Sequence, residues 1–373
     1  MGKNIVVVSA VNFTNGGPLA ILHEFLDKAR LFPESKFIAL VNNKALFQND
    51  YPNVEFIEFP EVKKSWASRI FFEYWHCRKL SKNLQATHWL CLHDMSAKVS
   101  CLNQYVYCHN PSPFYDFSSF KEIYIEPKFF LFKLFYGVLY RINIKNNKAV
   151  FVQQNWLKKK FETRYGLKNV VVNRPESSFY VNNKGFSKKS FIKKDDVNIF
   201  YPAVPRVFKN FEVIINAAKL LKDSHPEIKF HFTVNGSENK YSKMLKEQCL
   251  GMSNIFFHGY LSREKINALY LTCDVVCFPS KLETWGLPLT EAKKFDSWIV
   301  ASDLPYAHET VGDYSKILFF PPDDPQSLVM KINDLISDPE KHLIYDNPDK
   351  VFESLNDVTS GFSGLISYML NDK

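Results

Sequence analysis

Short apolar runs alternate with longer stretches of helical spacing along the chain. The first run, residues 5–9, leads into Asn12-Phe-Thr-Asn-Gly-Gly-Pro18 and then a helical pattern over 19–29. Period-two or continuous apolar segments predict strands at 36–41, 54–59, 87–92, 104–108, 149–153 and 170–172, with helices at about 65–84 and 156–165. A second series begins at 197–201. Its predicted helices are 211–223, 240–249, 262–271, 288–295 and 325–337, and its strands are 229–234, 255–258, 275–279 and 299–301. Alternation of strand and helix without hairpin turns predicts doubly wound parallel α/β sheets. Residues 1–173 form one predicted domain and 197–356 another. The polar, lysine-rich 174–196 stretch connects them, and a last helical pattern follows within 351–370.

A length of 373 residues exceeds one typical core and agrees with two domains. The formal charge of +8 admits a nucleic acid, an anionic membrane or a phosphorylated substrate as partner. No nucleic-acid recognition motif accompanies the charge, so nucleic acid is not expected. Seven cysteines without CxxC spacing predict buried free thiols rather than disulfides or a zinc site. The N-terminus has no basic segment followed by a long apolar core and cleavage site, so the expectation is a cytoplasmic protein.

Four clusters carry candidate chemistry. In Glu283-Thr-Trp-Gly-Leu-Pro-Leu-Thr-Glu291, two carboxylates bracket a turn that follows the predicted 275–279 strand, and Pro288 suits the first turn of a helix. Helix-start N–H groups attract phosphate, and carboxylates beside them accept bonds from sugar hydroxyls. Two glutamates at a helix start also simply complement the helix dipole. In Pro205-Arg-Val-Phe-Lys-Asn210, Arg206 offers a planar fork and Lys209 a compact charge, a pair suited to a diphosphate. Gly16-Gly17-Pro18 permits close backbone approach in a βα turn, but lacks the GxGxxG spacing of a dinucleotide oxidoreductase. His109 ends the predicted 104–108 strand, where a lone histidine serves either a site or the scaffold. His258-Gly259 and Asn235-Gly236 also follow strands.

The Glu-x7-Glu spacing, with its core Glu-x-x-Gly-Leu-Pro-x-x-Glu-Ala ending at Ala292, resembles the signature of retaining GT-B glycosyltransferases of family 4. The resemblance implies two Rossmann-like doubly wound domains facing a central cleft, with a final helix, 357–373, crossing back to the first domain. It implies that Glu283 binds hydroxyls of the transferred sugar and Glu291 those of ribose. Arg206, Lys209 and Asn210, with the helix start at Gly286, Leu287 and Pro288, would hold the donor diphosphate. The Arg–Lys spacing is shorter than the commoner family form. Gly16 and Gly17 would face the sugar and diphosphate, and His109 the sugar near its C6 hydroxyl and the reaction centre. The implied reaction moves a hexose-type sugar from a nucleotide diphosphate sugar, with retention, to a glycan or lipid-linked acceptor of bacterial surface polysaccharide. No metal and no further cofactor are expected, because Arg and Lys replace a divalent cation.

Three alternatives use the same fold: a nucleotide-sugar epimerase, a phosphorylase, and an inactive subunit that only docks a membrane or partner. The acid/base carboxylates of the first and the pyridoxal-binding lysine of the second enzyme are not found, and intact Glu283, Glu291 and Lys209 oppose the third. The 114–141 segment interleaves Phe, Tyr and Leu with Lys121, Lys128, Lys133 and Arg141. It is too short and charged to span a bilayer. Residues 129–140 read either as an interfacial helix on anionic lipid or as a core helix of the first domain.

Overall fold

Runs of Val, Ile and Phe too short for helices become strands, most of them buried on both faces as parallel sheets require. The computed structural model describes residues 4–47, 51–175, 196–343 and 358–371. Most of the predicted 174–196 connection and the start of the predicted 357–373 helix lie outside these residues. Every strand pair described is parallel. Two compact units result: 1–113, 134–176 and 353–373 in one, and 114–133 with 177–352 in the other. Residues 114–133, assigned to the first domain from the order of elements, therefore group with the second half.

The first unit holds an eight-stranded sheet. From the edge inward its strands are Val358–Ser360, Val170–Arg174, Ala149–Val152, Asn103–Cys108 and His88–Cys91. Ile5–Ala10, Lys36–Val41 and Val54–Glu58 complete it. The order reverses between Ile5–Ala10 and His88–Cys91, which pair directly. Helix Gly16–Ala29 buries Leu22, Phe25, Leu26 and Ala29 against the sheet. Helix Gly361–Asn371 closes the same core with Phe362, Leu365, Ile366 and Met369. Phe362 meets Phe25 edge-on at 5.7 Å, and the Tyr105 hydroxyl donates to the Met369 carbonyl at 3.3 Å.

The second unit has six strands in the order Ile255–Phe257, Ile228–Phe232, Val197–Tyr201, Val275–Phe278, Trp298–Ser302, Ile317–Phe320. Counted from its own first strand this is 3-2-1-4-5-6, the order of dinucleotide-binding sheets. Helix Phe211–Leu221 packs on it through an almost fully apolar face. Helix Lys240–Gln248 starts at a reciprocal cap between Asn239 and Ser242, and Pro325–Ser337 at Asp324, which accepts from the Ser327 N–H.

Helix Pro305–Val311 and strands Ile317–Phe320 and Val358–Ser360 were not predicted. Helix Pro305–Val311 has only about two turns, too few for a helical period to emerge. The 114–141 segment becomes helices Phe120–Ile125 and Pro127–Leu139. Phe129, Tyr136, Leu139 and Tyr140 are buried, whereas Leu131, Leu134 and Val138 are exposed, so the helix divides between the two readings. The cysteines are free, and all but the half-buried Cys101 are buried. No described helix is long and apolar enough to cross a membrane.

A hydrogen-bonded chain ties the second sheet laterally. His231 Nδ1 lies 2.9 Å from His258 Nε2, and His231 Nε2 lies 2.9 Å from Asn198 Oδ1, while Phe256 stacks on His231 at 5.1 Å. Burial, then the charges of His258 and Lys229, pushes His231 from 6.5 down to about 4. The folded state thus keeps His231 neutral where the unfolded chain protonates it. Its contribution to stability is complete above about pH 6.5 and declines as pH falls toward 4. The urea midpoint should therefore drop across this window more in the wild type than in His231→Gln. Parallel declines in the two proteins would show that His231 titrates freely in the fold.

Candidate active site

In open α/β sheets, ligands bind beyond the carboxyl ends of the strands where the order reverses. In the second unit those strands are Val197–Tyr201 and Val275–Phe278, paired through Val275–Ile199 and Val276–Phe200. The loop after the first carries Arg206, a short 3-10 turn Val207–Lys209, and Asn210 at φ 56° before helix Phe211–Leu221. The loop after the second carries Glu283 and ends at Gly286, whose φ of 83° disfavours any side chain. Helix Leu287–Lys294 follows, with Pro288 in its first turn.

The two loops are stitched together. The Lys281 N–H donates to the Phe208 carbonyl at 2.7 Å, and the Tyr306 hydroxyl donates to the Ser280 carbonyl at 2.7 Å. Asn210, a candidate donor contact, is buried, and its amide donates to the Pro279 and Pro322 carbonyls at 3.1 and 2.7 Å. Its amide nitrogen thus ties loops together.

This stitching brings Lys209 and Glu283 into an ion pair, Nζ to Oε1, with side chains 13% and 14% exposed. The ammonium also lies 5.6 Å from the Phe278 ring centre. The Tyr201 hydroxyl donates to the Lys209 carbonyl at 2.7 Å. Burial, reinforced by Glu283, holds that phenol well above its usual range, so it remains a neutral donor. A half-buried ammonium facing a carboxylate can exchange one anion for another without losing a charge partner.

Arg206 and Glu291 are engaged elsewhere. Glu126 clamps the Arg206 loop, with Oε1 2.6 Å from Arg206 Nε and Oε2 accepting from the Val207 N–H at 2.9 Å. The guanidinium lies over Phe129 and Phe208, at 5.0 and 5.5 Å. Glu291, a turn into its helix and buried, accepts from Arg263 Nη1 at 2.7 Å. Glu126 and Arg263 were missed from sequence. Glu126 precedes a proline in a segment assigned to the other domain, and Arg263 opens helix Arg263–Thr272 as an ordinary surface cation.

In the first unit, Gly16 and Gly17 open helix Gly16–Ala29, and only Gly16, at φ 63°, needs glycine for its backbone. His109 follows strand Asn103–Cys108. Its Nε2 lies 3.7 Å from Asp94 Oδ2, and its Nδ1 is buried without a hydrogen-bond partner. Asp94 Oδ1 accepts from the His109 N–H at 2.7 Å, the Asn110 N–H at 3.0 Å and the Tyr140 hydroxyl at 2.9 Å. Asp94 adopts φ 70°, a strained backbone for this residue that its three bonds stabilise. Its position just after strand His88–Cys91 was the available signal, matching that of His109.

Glu73, Cys91 and His93 form the only described cluster with metal-ligand spacing, all three buried. Arg69 Nη2 lies 3.2 Å from His93 Nδ1 and can only donate, so the imidazole proton sits on Nε2. There it faces Ser9 Oγ at 3.1 Å and Glu73 Oε1 at 3.0 Å. A metal on Nε2 would move the proton to Nδ1, against Arg69. Burial, then the Glu73 charge, also holds the Cys91 thiol above its usual range. The donor set suits a neutral imidazole held between Arg69 and Ser9 better than a cation.

Residues 182–347 match the family model described as glycosyl transferases group 1. The chain is 23% identical over 230 residues to O-antigen chain mannosyltransferase RfbU of Salmonella typhimurium, covering 60% of this chain and 58% of that protein. It is 27% identical over 154 residues to O-antigen chain mannosyltransferase C of Escherichia coli, covering 40% of each. The chain thus spans about half the length of these curated relatives. Among solved structures, sucrose-phosphate synthase of Thermosynechococcus elongatus aligns with a TM-score of 0.63 at 13% identity over 91% of each chain. HepE of Anabaena, in complex with UDP and glucose, aligns with a TM-score of 0.58 at 15% identity over 91% of this chain and 92% of that one. Residues 182–347 are therefore similar to the glycosyl transferases group 1 family, and the chain has a GT-B fold of two parallel Rossmann-like units.

Proposed function

We propose that this chain is a glycosyltransferase that moves a hexose from a nucleoside diphosphate sugar to a glycan or lipid-linked acceptor in surface-polysaccharide assembly. The observation that carries the reading is the Lys209–Glu283 pair, drawn from two loops at the strand-order reversal of a dinucleotide-type sheet. The O-antigen mannosyltransferase relatives support the acceptor class.

Breaking a sugar–phosphate bond releases a diphosphate whose negative charge grows in the transition state. Lys209 meets that charge when the diphosphate replaces Glu283 as its partner, and Glu283 turns to hydroxyls of the transferred sugar. Arg206, aimed by Glu126, and the N–H groups at the start of helix Leu287–Lys294 add to the stabilisation. Glu291, held by Arg263, accepts from the ribose hydroxyls. Gly16, Gly17 and His109 act on the sugar, as the family resemblance implies. The acceptor attacks on the face the diphosphate leaves, its proton passing to the diphosphate oxygen, so configuration is retained. With Lys209 and Arg206 meeting the charge, the reaction needs no divalent cation.

A panel of nucleotide sugars, assayed for slow hydrolysis by purified protein, identifies the donor. No turnover of any of them would overturn the reading. Glu291→Ala should weaken binding of the free nucleoside diphosphate by about 1.5–3 kcal/mol, the range for a hydrogen bond to a charged group. Calorimetry measures it, and unchanged affinity would remove Glu291 from the ribose role.

Lys209→Ala should lower kcat far more than it raises the donor KM, because its partner charge grows in the transition state. A raised KM with kcat intact would reduce Lys209 to a binding group. Activity should persist in EDTA, and loss that added metal reverses would end the metal-free mechanism. Product anomeric configuration, read by NMR, decides retention.

A further inference from the structure

Residues 66–83 run as one helical rod: Trp66–Phe71, a π-turn Phe72–His76, then Cys77–Asn83. One side of the rod is buried through Arg69, Phe72, Glu73, Cys77 and Ser81. The opposite stripe, Ala67, Phe71, Trp75, Arg78 and Lys82, is exposed. Phe71 and Trp75 are 61% and 62% exposed and stack on each other at 6.0 Å and 10°. The outer face of a surface helix ordinarily carries polar side chains, so two large rings side by side in water indicate an absent partner.

Charge identifies that partner. Lys63 and Lys64 precede the ring pair, and Arg78, Lys79 and Lys82 follow it, all exposed. The acids of residues 60–83 are Glu61, which pairs with Lys64 at 2.7 Å, and Glu73, which is fully buried. An aromatic centre with cations at both ends and no carboxylate beside the rings is the pattern of an interfacial helix on anionic lipid. The rings sit at headgroup depth while the Lys and Arg stems reach back to phosphate. A second copy fits poorly, because a two-fold contact would set the same cations against themselves. A nucleobase fits poorly too, since the rings already stack on each other.

We propose that the first unit docks on an anionic phospholipid surface through the Phe71–Trp75 face of this rod. Trp66, at the start of the rod, packs edge-on against Phe135 at 4.6 Å, beside exposed Leu134 and Val138. The docking face is on 66–83 rather than on the whole 114–141 segment. The proposal stands apart from the glycosyl-transfer reading and does not require it.

The test mixes full-length protein with phosphatidylcholine vesicles, with or without phosphatidylglycerol. Sedimentation with the anionic vesicles should exceed that with neutral ones at least tenfold, and should fall as salt shortens the screening length from about 10 Å at 0.1 M to about 3 Å at 1 M. Phe71→Ser with Trp75→Ser, and separately Lys79→Glu with Lys82→Glu, should each lower binding about tenfold, with wild-type melting curves and unchanged donor hydrolysis. Because Phe71 and Trp75 are on the surface, their replacement should not unfold the protein. As an independent readout, lipid-borne quenchers should dim wild-type tryptophan fluorescence more than that of Trp75→Phe. Equal binding to neutral vesicles, or wild-type binding by the Phe71/Trp75 double variant, would overturn the proposal. So would an oligonucleotide complex or a dimer that the double variant abolishes, or binding lost only when Leu134 and Val138 become Ser.

Discussion

Parallel pairing is the constraint on which the rest depends. Every connection in these sheets must return from the carboxyl end of one strand to the amino end of the next, so the loops that follow strands collect along one edge. Where the order reverses, neighbouring loops diverge and leave their side chains free to converge on a ligand. Lys209 and Glu283 are 74 positions apart and meet there. Asp94 and His109 meet in the same way at the carboxyl ends of two adjacent strands of the first sheet. Neither pair depends on local sequence. Each depends on which strands are neighbours.

The candidate groups are held by buried polar contacts of several kinds. Asp94 gathers two backbone N–H groups and a phenol, Glu126 grips a guanidinium and an N–H, and Asn210 donates to two proline carbonyls. A buried carboxylate with several donors costs little to keep charged, whereas one left unpaired is expensive. Such clamps fix side-chain direction more tightly than apolar packing, which tolerates rotamer changes. His109 Nδ1 is the exception, a buried acceptor or donor still without a partner. An orphan of that kind beside a strand-end histidine marks a place for a ligand or an ordered water.

Much of this was legible in the chain, for identifiable reasons. Strand Ile5–Ala10 is legible because its apolar run is continuous, and helix Phe211–Leu221 because three turns border one core. Glu283, Gly286 and Glu291 were visible because glycine, proline and two acids at fixed spacing have a mechanical reading. Arg263 and Glu126 were not, since a cation or an acid on a helix end is ordinary until its partner is known. The Phe71–Trp75 face escaped for a related reason. Aromatics at helical spacing read as core, and only the buried Phe72 and Cys77 on the other side show that these two rings point outward.

Helix Gly361–Asn371 lies in the first unit although the second unit's strands and helices precede it along the chain. During synthesis the first sheet emerges early with Phe25, Tyr105 and Tyr107 on a face that Phe362, Leu365 and Met369 have yet to cover. The second unit can complete its own core before those residues leave the ribosome. The half of the protein made first is therefore the half that finishes last, and its uncovered aromatic face has to be kept from other chains for the whole interval.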